Sequence, residues 1–320
     1  MRNSKWLVMI VFACGANAAE PQTYPVKPVR FIVPATPGSL PDVLARMLGE
    51  RLGDTWRQPV LVENRPGAGG NIGTVQVAKA APDGYTVLVS PSSIAINVTL
   101  WPNLGYDLRK DFVGVINVAT SPLVIAAGAK FTGTTLGEAI DKAKTGGLTY
   151  ASPGAGTAPF LSADYLFRVL AKGDVTHVPY MGGGSASIAG ALAGDVDVLS
   201  TAVSPSLSLI KTGRLRALAV TGARRFPGLP GVPTVAESGF PHFEYYTWVG
   251  VFAPAATPAN IVSRLNADIE KLLSNADFRE RLKALAYEPV GGSPESFARY
   301  IESEIVRWAK IIKETGAKPE

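Results

Sequence analysis

Short apolar, β-branched runs alternate with helical patterns from one end of the chain to the other. Runs at 29–33, 60–63, 86–90, 149–152, 176–179, 196–201 and 215–220 have the length and composition of strands. Between them, the spacing of apolar positions predicts helices over 43–52, 71–80, 136–144, 159–170 and 185–193. This alternation predicts an α/β fold of mostly parallel sheets with helices on both faces. The last third turns helical, over 258–273, 277–286 and 294–315, each helix opened by a proline or an aspartate. Two further extended segments, 122–127 and 248–254, read as crossover strands that form a two-strand hinge between two lobes. Lobe 1 is then discontinuous, residues 19–124 together with 252–320, and lobe 2 is residues 125–251.

Two glycine-bearing loops follow predicted strands and open into predicted helices: Pro34-Ala-Thr-Pro-Gly-Ser-Leu-Pro-Asp42 and Ser152-Pro-Gly-Ala-Gly-Thr-Ala-Pro159. Ser39 with Asp42, and Thr157 with Pro159, are helix-start signals, the first pair in capping-box spacing. A helix N-terminus offers unpaired N–H groups and a partial positive charge, so it suits an anion. In open α/β sheets, ligands bind outside the carboxyl ends of strands, where both loops begin. Facing each other across a cleft, the two loops would grip a carboxylate without any arginine.

The chain opens with basic Arg2 and Lys5, an apolar run from Trp6 to Ala13 and the Ala16-Asn17-Ala18 site, the pattern of a secretory signal peptide over residues 1–18. The single cysteine, Cys14, lies inside that leader. A lipoprotein box ending at Cys14 is the rival reading, which Phe12 suits poorly. Removing Arg2 and Lys5 lowers the formal charge of +5 by two, and no basic run exceeds Arg224-Arg225, so no nucleic-acid footprint is present.

Other chemistries find little support. Gly67-Ala-Gly-Gly-Asn-Ile-Gly73 fails the dinucleotide fingerprint at Ile72 and reads as a tight turn feeding a helix. Gly182-Gly-Gly-Ser185 reads either as cleft lining or as a permissive turn. His177 and His242 are the only histidines and lack metal-ligand spacing, and there is no G-x-S-x-G elbow. Neither a metal nor a cofactor is expected. An enzyme acting on a carboxylate would have only Asp42 and His177 as acid or base.

Several phrases, in order, resemble the Bug-type extracytoplasmic solute receptors, the binding proteins of tripartite tricarboxylate transporters. They are Lys27-Pro-Val-Arg-Phe-Ile-Val-Pro34, Val62-Glu-Asn-Arg-Pro-Gly-Ala-Gly-Gly-Asn-Ile-Gly73, Ala81-Pro-Asp-Gly-Tyr-Thr86, His177-Val-Pro-Tyr180, Gly213-Arg-Leu-Arg-Ala-Leu-Ala-Val-Thr221, Pro233-Thr-Val-Ala-Glu-Ser-Gly239 and Pro254-Ala-Ala-Thr-Pro258. The resemblance implies a type II periplasmic binding protein fold closing on a small carboxylate. It also implies a periplasmic location and a partner that is either inner-membrane transporter subunits or a sensor kinase. A monomer is expected.

Carried onto this chain, the first loop supplies Thr36, Pro37, Gly38, Ser39 and Asp42 as ligand-binding candidates, and the second supplies Ser152, Gly154, Gly156 and Thr157. Ser90, Phe160 and Tyr180 complete the set. The chain departs from the family in keeping one glycine between prolines in its first loop, which removes N–H donors, and in having Phe160 where a histidine is common. Leu40 and Phe160 at the cleft point to a less polar acid, aromatic or branched.

Overall fold

The computed structural model describes residues 24–180 and 183–319; the leader, its Ala18 cleavage site and Cys14 lie outside the described residues. The strands are β1 (Val29–Val33), β2 (Val60–Asn64), β3 (Thr86–Pro91), β4 (Phe112–Ala127), β5 (Leu148–Ser152), β6 (Val175–Pro179), β7 (Val198–Ala202), β8 (Arg216–Val220), β9 (Tyr246–Pro254) and β10 (Glu288–Gly291). They run in the order β2-β1-β3-β9-β4-β7-β5-β6, with β8 and β10 also paired to β4. β1 lies parallel between β2 and β3, and β5 parallel between β6 and β7, while every pairing of β4 or β9 is antiparallel. Each outer part is thus a parallel unit built by helical crossovers, and the middle is a direct antiparallel joint.

β4 makes that joint. Its first part, Phe112 to Pro122, pairs with β9, and its last part, Leu123 to Ala127, pairs with β7. Partners change at Pro122, a residue with no N–H to give to either ladder. The return crossing is pinned beside it: Thr221 N–H donates to Leu123 O (3.0 Å), and Tyr245 N–H donates to Thr221 O (3.0 Å). The sequence pattern gives only 122–127 of this strand, because register shifts near Gly114 and Asn117 break the alternation of its first part.

The helices are α1 (Leu40–Trp56), α2 (Asn71–Ala78), α3 (Ser93–Leu100), α4 (Leu108–Asp111), α5 (Leu136–Thr145), α6 (Ala158–Asp164), α7 (Gly184–Ala193), α8 (Val203–Lys211), α9 (Ala259–Ser274), α10 (Ala276–Ala284) and α11 (Pro294–Thr315). α6 continues as a π-helical stretch to Leu170. α3, α4 and α8, and the strand β10, are not foreseen from the sequence. α3 is β-branched at Ile94, Ile96, Val98 and Thr99 and largely buried, so it shows no polar face. α8 carries Pro205 in its first turn, where proline is tolerated. Among the described residues, no helix is long and apolar enough to cross a membrane.

Two cores flank the joint. Phe31, Leu44, Leu48, Val89, Val251, Leu265 and Phe278 pack on one side, and Ile125, Leu148, Tyr150, Leu161, Phe167 and Val198 on the other. α11 straddles both. Its Phe297, Ile301 and Ile305 pack with Ile32, Trp248 and Phe252, whereas Trp308, Ile311 and Ile312 join the second core. Between those segments, the buried Glu304 carboxylate accepts the indole N–H groups of Trp248 (2.9 Å) and Trp308 (3.0 Å).

Candidate ligand-binding site

Six helices begin where parallel strands end, and their N-termini border one cavity of about 230 Å³. α1, α2 and α3 follow β1, β2 and β3 in the first half of the sheet; α6, α7 and α8 follow β5, β6 and β7 in the second. Ser39–Pro41, Gly67–Gly70, Ser92 and Ser93 line it from one side, and Thr157–Pro159, Gly183–Ser185, Thr201, Ala202 and Pro205 from the other. Among the described residues, no lining side chain carries a charge.

The first turns explain the electrostatics. α2, α3, α6, α7 and α8 have no acidic residue in their first turn. Away from the cavity, α4, α5, α10 and α11 carry Asp111, Glu138, Asp277 and Glu295 there, with α9 the exception. An acidic first turn neutralises the positive end of a helix, so the cavity-facing ends keep their field. α1 carries Asp42, but Asp42 is 3% exposed and turned from the lining. It accepts the Gly38 N–H (2.8 Å) and is paired with Arg46 (3.0 Å). Burial pushes its carboxyl up, yet bonds from Arg46, Gly38 and Asn64 outweigh that and hold it below the usual aspartate range.

The expected Ser39–Asp42 capping box is not formed. Asp42 bonds the N–H of Gly38, one residue before the cap, and the Ser39 side chain caps nothing. Ser39 Oγ is a buried atom with no partner, as is Trp101 Nε1, and both residues line the cavity.

In the second loop, Ser152 Oγ accepts the Gly154 N–H (3.2 Å) and pairs with His177 Nε2 (2.7 Å). His177 stacks between Tyr150 and Phe160, with ring centroids 4.9 and 4.5 Å away. Burial, helped by the Arg168 charge, lowers its pKa to about 4, so the ring is neutral near pH 7. Thr157 caps α6, accepting the Phe160 N–H (3.4 Å) and donating to Gly154 O (2.8 Å).

Of the residues singled out from the sequence, Thr36, Gly38, Ser39, Gly154 and Thr157 line the cavity. The others stand behind or beside it. Pro37 is exposed and Ser90 buried, its Oγ donating to Pro91 O (3.3 Å). Ser152 is fully buried beneath its loop, and Phe160 belongs to the second core. Gly156 faces Asn97 and Leu100 of α3, and the Tyr180 hydroxyl donates to Asp195 (3.0 Å). Leu40 does line the cavity, but Phe160 does not, which removes one of the two residues that pointed to an aromatic or branched acid.

Sequence reasoning missed the lining role of Pro66–Gly70, Pro91–Ser93, Trp101, Thr201, Ala202, Pro205 and Thr247. The 67–73 turn is a tight turn feeding a helix, as read, but it also forms one wall. Gly70 (φ +94°) passes so close to Pro34 that a Cβ would stand 3.0 Å from its carbonyl oxygen. Applying the strand-end rule to every parallel strand, rather than to the two glycine-rich ones, would have found most of this lining.

The family model described as "Tripartite tricarboxylate transporter family receptor" matches residues 44–317. Protein BugT of Bordetella pertussis is 37% identical over 329 residues, covering 99% of this chain and 99% of that protein. Among solved structures, R. palustris Rpa4515 with adipate superimposes with a TM-score of 0.88 at 34% identity, covering 93% of this chain and 100% of that one. MatC from Rhodopseudomonas palustris with bound malate gives 0.83 at 32% identity, covering 90% and 100%. The α/β architecture is therefore that of the two-lobed periplasmic binding proteins, and the chain belongs to the tripartite tricarboxylate transporter family of solute receptors.

Proposed function

We propose that this protein is a periplasmic receptor that closes two lobes over a small organic carboxylate and delivers it to a tripartite tricarboxylate-type transporter. The lobes are residues 19–124 with 252–320, and 125–251. The observation that carries the reading is the uncharged cavity onto which three helix N-termini converge from each half of the sheet. Thr36, Gly38 and Ser39 from one lobe, and Gly154 and Thr157 from the other, frame the carboxylate, and the unpaired first-turn N–H groups of the converging helices hold it. Charge-assisted bonds of this kind contribute about 1.5–3 kcal/mol each, so a few of them with modest apolar burial reach the roughly −8 kcal/mol of a micromolar complex. The bound adipate and malate of the two relatives support the same class of ligand.

Capture rather than catalysis is favoured by where the available acid and base stand. Asp42 is consumed by Gly38 and Arg46, and His177 by Ser152, both off the cavity lining. The test is a thermal-shift panel on refolded, ligand-free protein against dicarboxylates, tricarboxylates and aromatic acids. A ligand at a hundred times its Kd adds about 2.7 kcal/mol to the folded state, worth a few degrees for a chain of this size, roughly. A shift confined to carboxylates supports the reading, and a flat response to all of them overturns it.

A further inference from the structure

Resting on the carboxylate reading above, we infer that Tyr287 is a positioning residue for capture: from behind the cavity it ties the first turn of α1 to α8 on the facing half, and so holds the two walls together over a seated ligand. The tie begins where α10 ends. Tyr287 N–H donates to Leu282 O and Ala286 N–H to Lys283 O, each at 2.9 Å, which closes the helix with Ala286 in the left-handed region (φ +59°). Glycine adopts that conformation freely, whereas a Cβ strains it. The strained methyl is fully buried in the apolar cluster of Leu199, Val203, Leu207 and Val220, in the second half of the sheet. The adjacent Tyr287 ring, 1% exposed, is buried in the first core with Leu44, Leu48 and Phe278. Two consecutive residues are thus rooted in opposite halves. Strain of this kind persists only where the surroundings over-determine it, and here those surroundings span the joint.

The Tyr287 hydroxyl completes the crossing. It donates to Leu40 O (3.2 Å), the carbonyl of the first residue of α1. Burial pushes the hydroxyl up to about 12, and a hydrogen bond from Ser204, in the first turn of α8, works against that from the other half. The phenol is protonated at neutral pH, so donation runs from Ser204 to Tyr287 to Leu40. Leu40 lines one wall of the cavity, and Ala202 and Pro205, on either side of Ser204 in the chain, line the facing wall. Tyr287 and Ser204 are themselves off the lining, so a ligand feels them only through the spacing of the two walls.

The experiment is calorimetric and stopped-flow titration of refolded wild type and Tyr287→Phe with succinate and with adipate, alongside thermal unfolding of each without ligand. Tyr287→Phe keeps the buried ring and removes the crossing bond. For an acid that binds wild type, its Kd is expected to rise about three- to tenfold, the worth of one hydrogen bond. The change should lie in the dissociation rate, with the association rate preserved, because the tie acts after encounter. A Kd within about twofold of wild type overturns the inference and leaves the carboxylate reading intact. A lowered midpoint beside that unchanged Kd would mark a purely structural tyrosine. If wild type binds neither acid, the carboxylate reading itself fails, and the inference with it.

A second variant tests the cause from the other half. Ser204 is only half-buried, so Ser204→Ala removes its hydroxyl at little cost to the fold. It should raise Kd in the same direction as Tyr287→Phe, again through dissociation. The two substitutions cut one relay, so the double variant should lose little more affinity than the weaker-binding single variant. Fully additive losses, or wild-type affinity in Ser204→Ala, contradict a tie that runs between the halves.

Discussion

Gly156 is the position where the closing of the two halves can be tested with one methyl group. An alanine Cβ there would stand 2.9 Å from Asn97 Oδ1 and 3.3 Å from Leu100, both on α3 of the opposite half. Asn97 cannot retreat easily: it is 1% exposed, and its Nδ2 donates to Gly69 O and Asn71 Oδ1, each at 2.9 Å. The backbone at Gly156 also has φ +79°, which costs an L-residue about 1–2 kcal/mol. These two effects separate cleanly. The strain exists whether or not the halves meet, so it lowers the melting temperature of the free protein by a few degrees at most, roughly. The clash exists only where the halves touch, so it opposes the closed form by about 1–3 kcal/mol. Capture of a diacid should therefore weaken on the order of ten- to a hundred-fold. Gly213→Ala is the matched control, with φ +73° and nothing within 4 Å of its Cβ. It should lose a similar amount of stability and keep its affinity. Titration of both variants with succinate and adipate checks this; equal affinities would refute the idea that this contact belongs to the ligand-bound state.

Replacing Glu304 with alanine strands two buried indole donors, Trp248 and Trp308, at about 1–3 kcal/mol each. Chemical denaturation should show a loss of that order, with Glu304→Gln, which keeps an acceptor oxygen, losing much less. His177 sets an acid limit on stability. Its folded pKa of about 4 lies below the ordinary value of 6.5, so from about pH 6.5 down to 4 only the unfolded chain takes up the proton. Stability is then flat above pH 7 and falls by a few kcal/mol at most over that window, less for the ring's partial exposure. A ring titration near 6.5 by NMR would contradict it. Asp42→Ala leaves the Gly38 N–H and Arg46 without their carboxylate and should cost about 1–3 kcal/mol in the unfolding free energy; a loss below a few tenths would mean the first loop is not held this way.

What was legible in the sequence follows from where the chemistry resides. α9 and α11 show themselves because one face alone is apolar: Val262, Leu265, Ile269 and Leu273 in the first, Phe297, Ile301, Ile305, Trp308 and Ile312 in the second. α3 has no such contrast, so its N-terminus, one wall of the cavity, went unseen. Inside the recognised loops, the difficulty was direction. In α1 the cap and first two residues, Ser39, Leu40 and Pro41, face the cavity while Asp42 turns to Arg46. In α6 the same three places, Thr157, Ala158 and Pro159, face it while Phe160 turns into the core against His177. Successive helical residues rotate by about 100°, so the third residue of each helix points off the ligand side. The most chemical-looking residue of each loop was therefore the one the geometry withdraws. In the proposed reading, the main chain does the work that a search for charged side chains looks for. Its trace in the sequence is negative: first turns left without the acid that helix starts elsewhere in this chain carry.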